Sequence, residues 1–594
     1  MITFAAFTLA DKGIKSKIYL NQKKEEIAMM IKNLNLNTDS FQAKHLDTIL
    51  LSDYLGGIGL AVRLMADYNC LKLPALESSL PLIITIGSLN ATGFPGANKA
   101  CFFGVSPLTG IFAGSWLGGD FSNGLVKSGT SALVIEGKAQ TPSIIVVHED
   151  SIELIPRNDL WGKSVSETQN ILNEKYKNQK IVVIGPAGER LVFFACVMGN
   201  EGHTAGRCGF GAILGSKNIK AIVAGGNAKP LINDPEQLKI VNRKAMKAIR
   251  ESDFLNDIQG PIGTPYLSKI VNEFEALPTA NFQERYFKRA SKLYGERIAN
   301  EFVYKRSTCS YCPVRCRSHV RIDGKEMKAP EYETICMFGS NNRIDDYSLI
   351  VKANALCNEL GLDTISTGNI IAFYREYSNS MEDPSNVLDL IRNIAYRKGE
   401  GAVLAKGSRF AATKFNVDYA MHVKGLELPG YDPRKLIGMA ISYSTANRGG
   451  CHSRAWTVAD EVNRPSLSAE QLAELVATYH DYGYIKDSLI ICTFLDGDVR
   501  RFYAEALSAV LETSFDDDQL ILNGERIYTL ERLMNIQRGV TAKSDVLPKR
   551  LIEGLVDSDK YTEGMRIYYQ LRDWDSNGIP SSKKIKSLKL DFIQ

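Results

Sequence analysis

Two hydrophobic rhythms divide the chain. Up to about residue 231, short apolar runs alternate with Gly and Pro: LPLIITIGSLN (80–90), SALVIEGKA (131–139), SIIVVHEDSIELI (143–155) and KIVVIGPAG (180–188). Apolar runs bounded by turn residues predict strands. One helix is predicted among them, YLGGIGLAVRLMADY (54–68). From residue 232 the period changes. Asn233-Asp234-Pro235 is a helix start signal, and the residues after it repeat with helical spacing. Further helical stretches fall at 346–360, 364–379, 384–398, 401–413, 468–482, 500–512 and 526–540. The pattern predicts an α+β chain with a β-rich N-terminal domain over 1–231 and two mostly α-helical domains over 232–430 and 431–594. The second boundary is placed at the turn-rich ELPGYDPRK.

Composition narrows the function classes. The 594 residues suit about three or four domains. A net charge of +4 with no long basic run argues against a dedicated nucleic-acid binder. No apolar segment approaches the ~18 residues that a membrane helix needs. The N-terminal MITFAAFTLADKGIK lacks a basic start and a small-residue cleavage site, so no signal peptide is expected. Eleven cysteines, scattered apart from one cluster, suit reduced thiols in a cytoplasm.

The cluster is Cys309-Ser310-Tyr311-Cys312-Pro313-Val314-Arg315-Cys316, a C-x2-C-x3-C. Soft thiolates at this spacing suit an iron–sulfur cluster or zinc. Structural zinc sites more often pair two C-x2-C knuckles or add histidines, and only His319 follows nearby. A radical-SAM site would want the gaps reversed. By spacing alone, iron–sulfur and zinc both stay open. Arg315, Arg317, His319 and Arg321 flank the cysteines, as a basic rim for an acidic electron carrier or as a solvated strand face. Residues 202–220, GHTAGRCGFGAILGSKNIK, carry enough Gly for close backbone approach to a ligand. They form neither a Walker loop nor a dinucleotide fingerprint, and IGPAGE (184–189) is weak by itself.

Taken in order, these pieces resemble the aldehyde:ferredoxin oxidoreductase family of tungsten enzymes. The resemblance rests on YLGGIGLA (54–61), SPLTG (106–110), ALVIEGKA (132–139), IGPAGE (184–189), AGRCGFGAILGSKNIKAI (205–222) and CSYCPVRC (309–316). It continues through PEYET (330–334), CNELGLDTISTGN (357–369), KGLELPGYDPR (424–434), NRGGCHSRA (447–455), DSLIICTF (487–494) and YYQLRDWDSNGIP (568–580). It implies tungsten, or molybdenum, held by two pyranopterins on the β-rich domain, a nearby 4Fe–4S cluster, and Mg2+ bridging the pterin phosphates. Implied partners are an aldehyde, a ferredoxin or similar small carrier, and a second copy or an electron-transfer subunit.

The resemblance also assigns residues. Cys309, Cys312, Cys316 and Cys492 would ligate the cluster. Thr204, Ala205, Gly206 and Arg207 would contact a pterin and its phosphate, and Arg454 a pterin. Two six-residue motifs would hold the pterins: Asn358 to Asp363 with Leu362, and Asp487 to Cys492 with Ile491. Asn358 replaces an Asp, and an amide accepts without charge. Ile490 replaces a Gly, which puts a side chain where backbone would approach the cofactor. Lys99 stands for an Arg between cluster and pterin, losing its planar fork. Trp116 stands for an Asn. Glu333 and His452 match the acid/base pair at the metal, with Glu331 nearer the surface, and Tyr311, Tyr332 and Tyr443 read as wall or core. Lys352-Ala353-Asn354-Ala355 stands where some members carry a bridging-metal motif and cannot ligate. The expected activity is aldehyde oxidation to a carboxylic acid. The alternatives are low-potential reduction of a carboxylate or aromatic acyl-thioester, or a non-catalytic zinc protein.

Overall fold

The computed structural model describes residues 29–68 and 72–593. The N-terminal stretch read for a leader lies outside them. Two six-stranded mixed sheets build the N-terminal half. The first contains β1 (Met30–Asn35), β2 (Ser40–His45), β3 (Leu82–Thr85), β4 (Ala100–Val105), β5 (Phe112–Leu117) and β6 (Thr130–Glu136), in the order β2-β1-β6-β3-β4-β5. The second contains β7 (Ser143–Val147), β8 (Ile152–Pro156), β9 (Lys180–Ile184), β10 (Val197–Gly199), β11 (Thr204–Ala205) and β12 (Ile219–Ala224), in the order β11-β10-β9-β12-β7-β8. Among the described residues only β1 with β6 and β7 with β12 pair in parallel. The inner strands are apolar on both faces because both faces are covered.

Two lysines clamp this half from within. The Lys32 ammonium donates to the carbonyls of Ser128, His148 and Glu149, and Lys217 to those of Ser78, Leu80 and Gly137. Burial lowers both pKa values to about 8. Each cation thus ties three strand ends or turns that would otherwise lack donors.

The N-terminal half holds more helix than its pattern suggests. Beside Gly57–Ala66 stand Thr48–Tyr54, Phe121–Lys127, Val165–Lys175, Pro186–Glu189 and Phe210–Ser216. Val165–Lys175 starts from a capping box, Ser164 with Glu167. Phe210–Ser216 lies in the glycine-rich segment, and its glycines serve packing. A Cβ on Gly211 would meet the Cys196 carbonyl at 2.3 Å, and one on Gly215 the Gly188 carbonyl at 2.0 Å.

The remainder is mostly helical, as its period predicts, with a small three-stranded and a two-stranded sheet. Asp234 caps Pro235–Arg250 by accepting the Gln237 N–H at 2.9 Å. The central strut is Ala469–Leu489, opened by a capping box of Ser468 and Gln471. It packs on Asp517–Ile536, Ser558–Leu571 and Gly57–Ala66, joining the two halves. Gly524 lets it approach closely, since a Cβ there would lie 2.4 Å from the Asp481 carbonyl. Among the described residues no helix is long and apolar enough to cross a membrane.

Candidate active site

Two helices end on the β-rich base in the same manner. Tyr347–Leu360 stops at Gly361, in the left-handed region at φ 73°. Leu362 then bridges Ala195, Asp363 N–H donates to Phe194 O at 3.1 Å, and Cys196 N–H to Gly361 O at 2.8 Å. Ala469–Leu489 stops at Ile490, φ 65°. Ile491 bridges Ala97, and Cys492 N–H donates to Gly96 O at 3.0 Å. The two motifs predicted to hold pterins therefore dock alike. The Ile490 side chain stands where its sequence position suggests backbone would approach the cofactor. It is wholly buried against the base, where a Cβ on Gly57 or Gly87 would fall within 3 Å of it.

A carboxylate–guanidinium pair accompanies each motif. Asp363 lies 3.4 Å from Arg207, whose other nitrogens donate to Gly450 O and Glu427 O. Asp487 binds Arg454 at 2.7 Å and lies 3.4 Å from Lys486. Burial pushes the Asp487 pKa up, but Lys486 and Arg454 outweigh it and hold the carboxyl below its usual value. Trp116 lies under Arg454 and Arg448, 4.3 and 5.3 Å from its ring centre, and donates Nε1–H to Asp487 O. Thr204 and Ala205 form β11, and Gly206 O accepts from the Cys196 thiol, so this strand delivers Arg207. Lys99 is half-buried, with its charge reaching Cys309 and Asp487. Asn358 is half-buried on the last helical turn and makes no side-chain hydrogen bond among the described residues.

Several buried polar atoms here lack a hydrogen-bond partner: Arg454 Nε and Nη2, and Arg207 Nε and Asp363 Oδ2, which face each other at 3.4 Å. Buried guanidinium N–H groups are normally satisfied. Unused donors on two arginines, one at each motif, fit a ligand with two anionic or acceptor-rich parts, as two pterins would be.

Glu333 and His452 face each other in the same interior. Glu333 Oε1 lies 3.6 Å from His452 Nδ1, too far for a hydrogen bond, and neither atom has another partner. Oε2 accepts the Gly430 N–H at 2.8 Å. Burial raises the Glu333 pKa to about 8. Burial, with Arg207, Arg448 and Lys486, lowers that of His452 to about 3. Both side chains are therefore largely neutral at pH 7. They keep 15% and 22% of their surface accessible deep inside the chain, so they line an internal space. Tyr431 packs 5.8 Å from the His452 ring, with Tyr332 and Trp456 against it. Tyr443 is buried and donates to Tyr431 O.

Sequence reasoning missed a pair within the same loop. The Cys451 sulfur accepts from Arg448 Nε and Nη2, at 3.1 and 2.8 Å, and from Ser453 N. Burial raises the Cys451 pKa, yet Arg448 and Arg454 win and lower it. The signal was an Arg and a Cys inside NRGGCHSRA, read only for His452 and Arg454.

Cys309, Cys312 and Cys316 lie on the loop between strands Val303–Ser307 and Arg317–Ile322. The structure brings Cys492 to them. Burial raises the pKa of all three, that of Cys312 to about 11, and Cys492 raises each further. Asn98 Nδ2 donates to Ser310 O and ties this loop to the base. The basic rim is thinner than predicted. Arg317 is buried and bound to Glu201, Arg321 pairs with Glu326, and His319 bonds Ser307. Glu331 accepts from Thr264. Lys352 pairs with Asp323, and Asn354 donates to Lys328 O.

Two family models match in chain order. "Aldehyde ferredoxin oxidoreductase, N-terminal domain" covers residues 31–226, and "Aldehyde ferredoxin oxidoreductase, domains 2 & 3" covers 240–590. A tungsten-containing aldehyde ferredoxin oxidoreductase of Pyrococcus furiosus is 33% identical, covering 93% of this chain and 97% of its own. An aliphatic sulfonate oxidoreductase, WOR-like subunit, of the same organism is 26% identical, covering 94% and 96%. Among solved structures, the active site complex BamBC of benzoyl coenzyme A reductase matches with a TM-score of 0.80 at 20% identity, covering 96% and 97%, a likeness of fold. With both halves matched and a third of its residues shared along nearly the whole length of a relative, the chain is an oxidoreductase that belongs to the aldehyde ferredoxin oxidoreductase family.

Proposed function

We propose that the chain oxidises an aldehyde to a carboxylic acid and passes the electrons to a ferredoxin-like carrier. The observation that supports this most is the unpartnered pair Glu333 Oε1 and His452 Nδ1, facing each other across an internal space. Arg207 and Arg454, with Asp363, Asp487 and the backbone at Leu362 and Ile491, would hold two pterins, with Mg2+ as a further ion. When bound, the pterin-held tungsten or molybdenum supplies the two-electron redox chemistry. Glu333 takes the proton of a water as it adds to the carbonyl carbon. A base with a pKa near the working pH suits that task. His452, neutral, donates an N–H toward the carbonyl oxygen as charge grows there. The aromatic rings around the pair keep bulk water out. Cys309, Cys312, Cys316 and Cys492 would hold the iron–sulfur cluster. The non-catalytic zinc reading gains no support from relatives that are named oxidoreductases.

Glu333→Gln tests the assignment. It is expected to abolish turnover with a viologen acceptor while tungsten and iron contents stay normal. Retained activity removes Glu333 from the mechanism. In the native protein the ionised fraction of Glu333 grows as pH rises through about 8. The rate at limiting substrate should therefore climb to that pH and then level. A profile flat from pH 6 to 9 would show that this carboxylate is not the base. A carboxyl that keeps its proton at pH 7 also suits reduction of an acid, the second reading. Assaying both directions with dyes separates the two.

A further inference from the structure

Arg448 is a buried cation that meets a sulfur where its neighbours meet carboxylates. Arg207 faces Asp363, and Arg454 binds Asp487. Arg448 makes no ion pair with a carboxylate among the described residues. Its Nη1 donates to Gly114 O at 2.7 Å, and its Nε and Nη2 close as a fork on Cys451 Sγ. A guanidinium keeps its charge inside a protein, and a buried charge without a counter-ion is strongly disfavoured. The sulfur also accepts the Ser453 N–H at 3.3 Å, which gives it three donors. A neutral thiol is a weak acceptor, whereas a thiolate suits such a set. Arg454 and Arg207 add their charge to that of Arg448 here. Burial keeps the proton on nearby Cys208, whose pKa rises to about 11.

The bond to Ser453 has a consequence for the residue between. Cys451 Sγ reaches the N–H two residues on, so it spans His452 as an Asx side chain spans a turn. The His452 N–H and C=O make no other hydrogen bond among the described residues. The chain just before is wedged in place. Gly449 lies at φ 102°, where a Cβ would meet Val423 O at 2.5 Å, and Gly450 N–H donates to Val423 O. The sulfur is thus the tie that fixes the turn carrying the histidine.

The same charge reaches Glu333. Arg207 favours the carboxylate there, as does the Gly430 N–H, while Asp363 and Cys451 oppose it. The other groups around Glu333 are neutral: His452, the hydroxyls of Tyr332, Tyr431 and Tyr443, and the Cys336 thiol, all held so by burial.

We infer that Cys451 is an anionic positioning residue of the active site, a thiolate that pairs with Arg448, fixes the turn aiming His452 at Glu333 and opposes Arg207 at that carboxyl. It acts through His452 and Glu333, whose roles rest on the proposed function; the thiolate and its bonds do not.

The test uses the holoenzyme and begins with infrared difference spectra. A thiolate has no S–H stretch, so native protein minus Cys451→Ser should show no lost S–H band. Cys451→Ala removes the same group and serves if the Ser variant does not fold. A lost S–H band overturns the inference. The carboxyl C=O band of Glu333, assigned by its loss in Glu333→Gln, is then titrated. It should disappear at lower pH in Cys451→Ser than in native protein, where the midpoint is about 8, and Cys451→Asp, which restores a negative charge, should move it back. An unmoved band in Cys451→Ser overturns the charge role. In viologen-linked aldehyde oxidation, Cys451→Ser should lose about tenfold in kcat with KM unchanged, and its pH limb should follow the band. A purely structural cysteine would lower the rate in both variants and move neither limb. If native protein does not oxidise aldehydes while the infrared results hold, the thiolate stands and the aldehyde reading falls.

Discussion

The six-residue segments 358–363 and 487–492 solve one geometric problem with different side chains. Both end a helix in left-handed backbone and place the next residue in a bridge to the base. In the first, Gly361 takes the turn without strain. In the second, Ile490 does, at a cost of roughly 1–2 kcal/mol for an L side chain there. Its burial between Gly57 and Gly87 offsets this, since a fully buried Ile contributes about 1.5–3 kcal/mol. The charges are redistributed too. The first segment carries its carboxylate last, Asp363 toward Arg207, and the second first, Asp487 toward Arg454. The last position of the second segment is Cys492, so its carboxylate can only stand elsewhere. Backbone geometry is thus the shared element, and side chains are assigned around it.

The comparison can be broken at five places. Asp487→Ala strands two buried cations and should cost about 3–5 kcal/mol in urea unfolding. Asp363→Ala should cost less, about 2 kcal/mol, because Arg207 keeps two carbonyl partners. Equal losses would mean the two pairs are equivalent after all. Gly361→Ala comes next, at roughly 1–2 kcal/mol, because an L side chain is strained there and its Cβ would lie 2.8 Å from Gly185 N. At Ile490 the usual ranking should reverse: Ile490→Gly should be about 1 kcal/mol more stable than Ile490→Ala, since both lose the packing and only Gly sheds the strain. A more stable Ala variant would show that the turn is not strained. The smallest effect is expected for Asn358→Asp, within about 0.5 kcal/mol, as a half-buried charge on a last helical turn. A larger change would mean that this position is held more firmly than its lack of hydrogen bonds implies.

Much of the fold was legible because its signals are local. The runs at 143–155 and 180–188 are strands, and the Asn-Asp-Pro start opens a helix that Asp234 caps. Val165–Lys175 was overlooked although Ser164 and Glu167 spell its capping box. The glycines at 209–215 misled, since what their missing Cβ atoms admit is the backbone of other segments. The site was legible only in part. The spacing of Cys309, Cys312 and Cys316 speaks for itself, but Cys492, Glu333 and His452 carry no local signal and came from resemblance. The direction of Ile490 depends on Gly57 and Gly87, some 400 residues away, and no window of sequence contains both.

The cysteine loop that spans residues 309–316 has a consequence in time. A ribosome adding about 5–20 residues per second delivers Cys492 roughly 9–35 s after Cys316. Gly96, whose carbonyl fixes Cys492, has by then long been made. The nascent chain thus carries three cysteines and a waiting anchor well before the fourth cysteine arrives. Whatever the four thiols are proposed to hold is enclosed only after that, so maturation would depend on keeping three early thiols reduced and unclaimed until Cys492 is made.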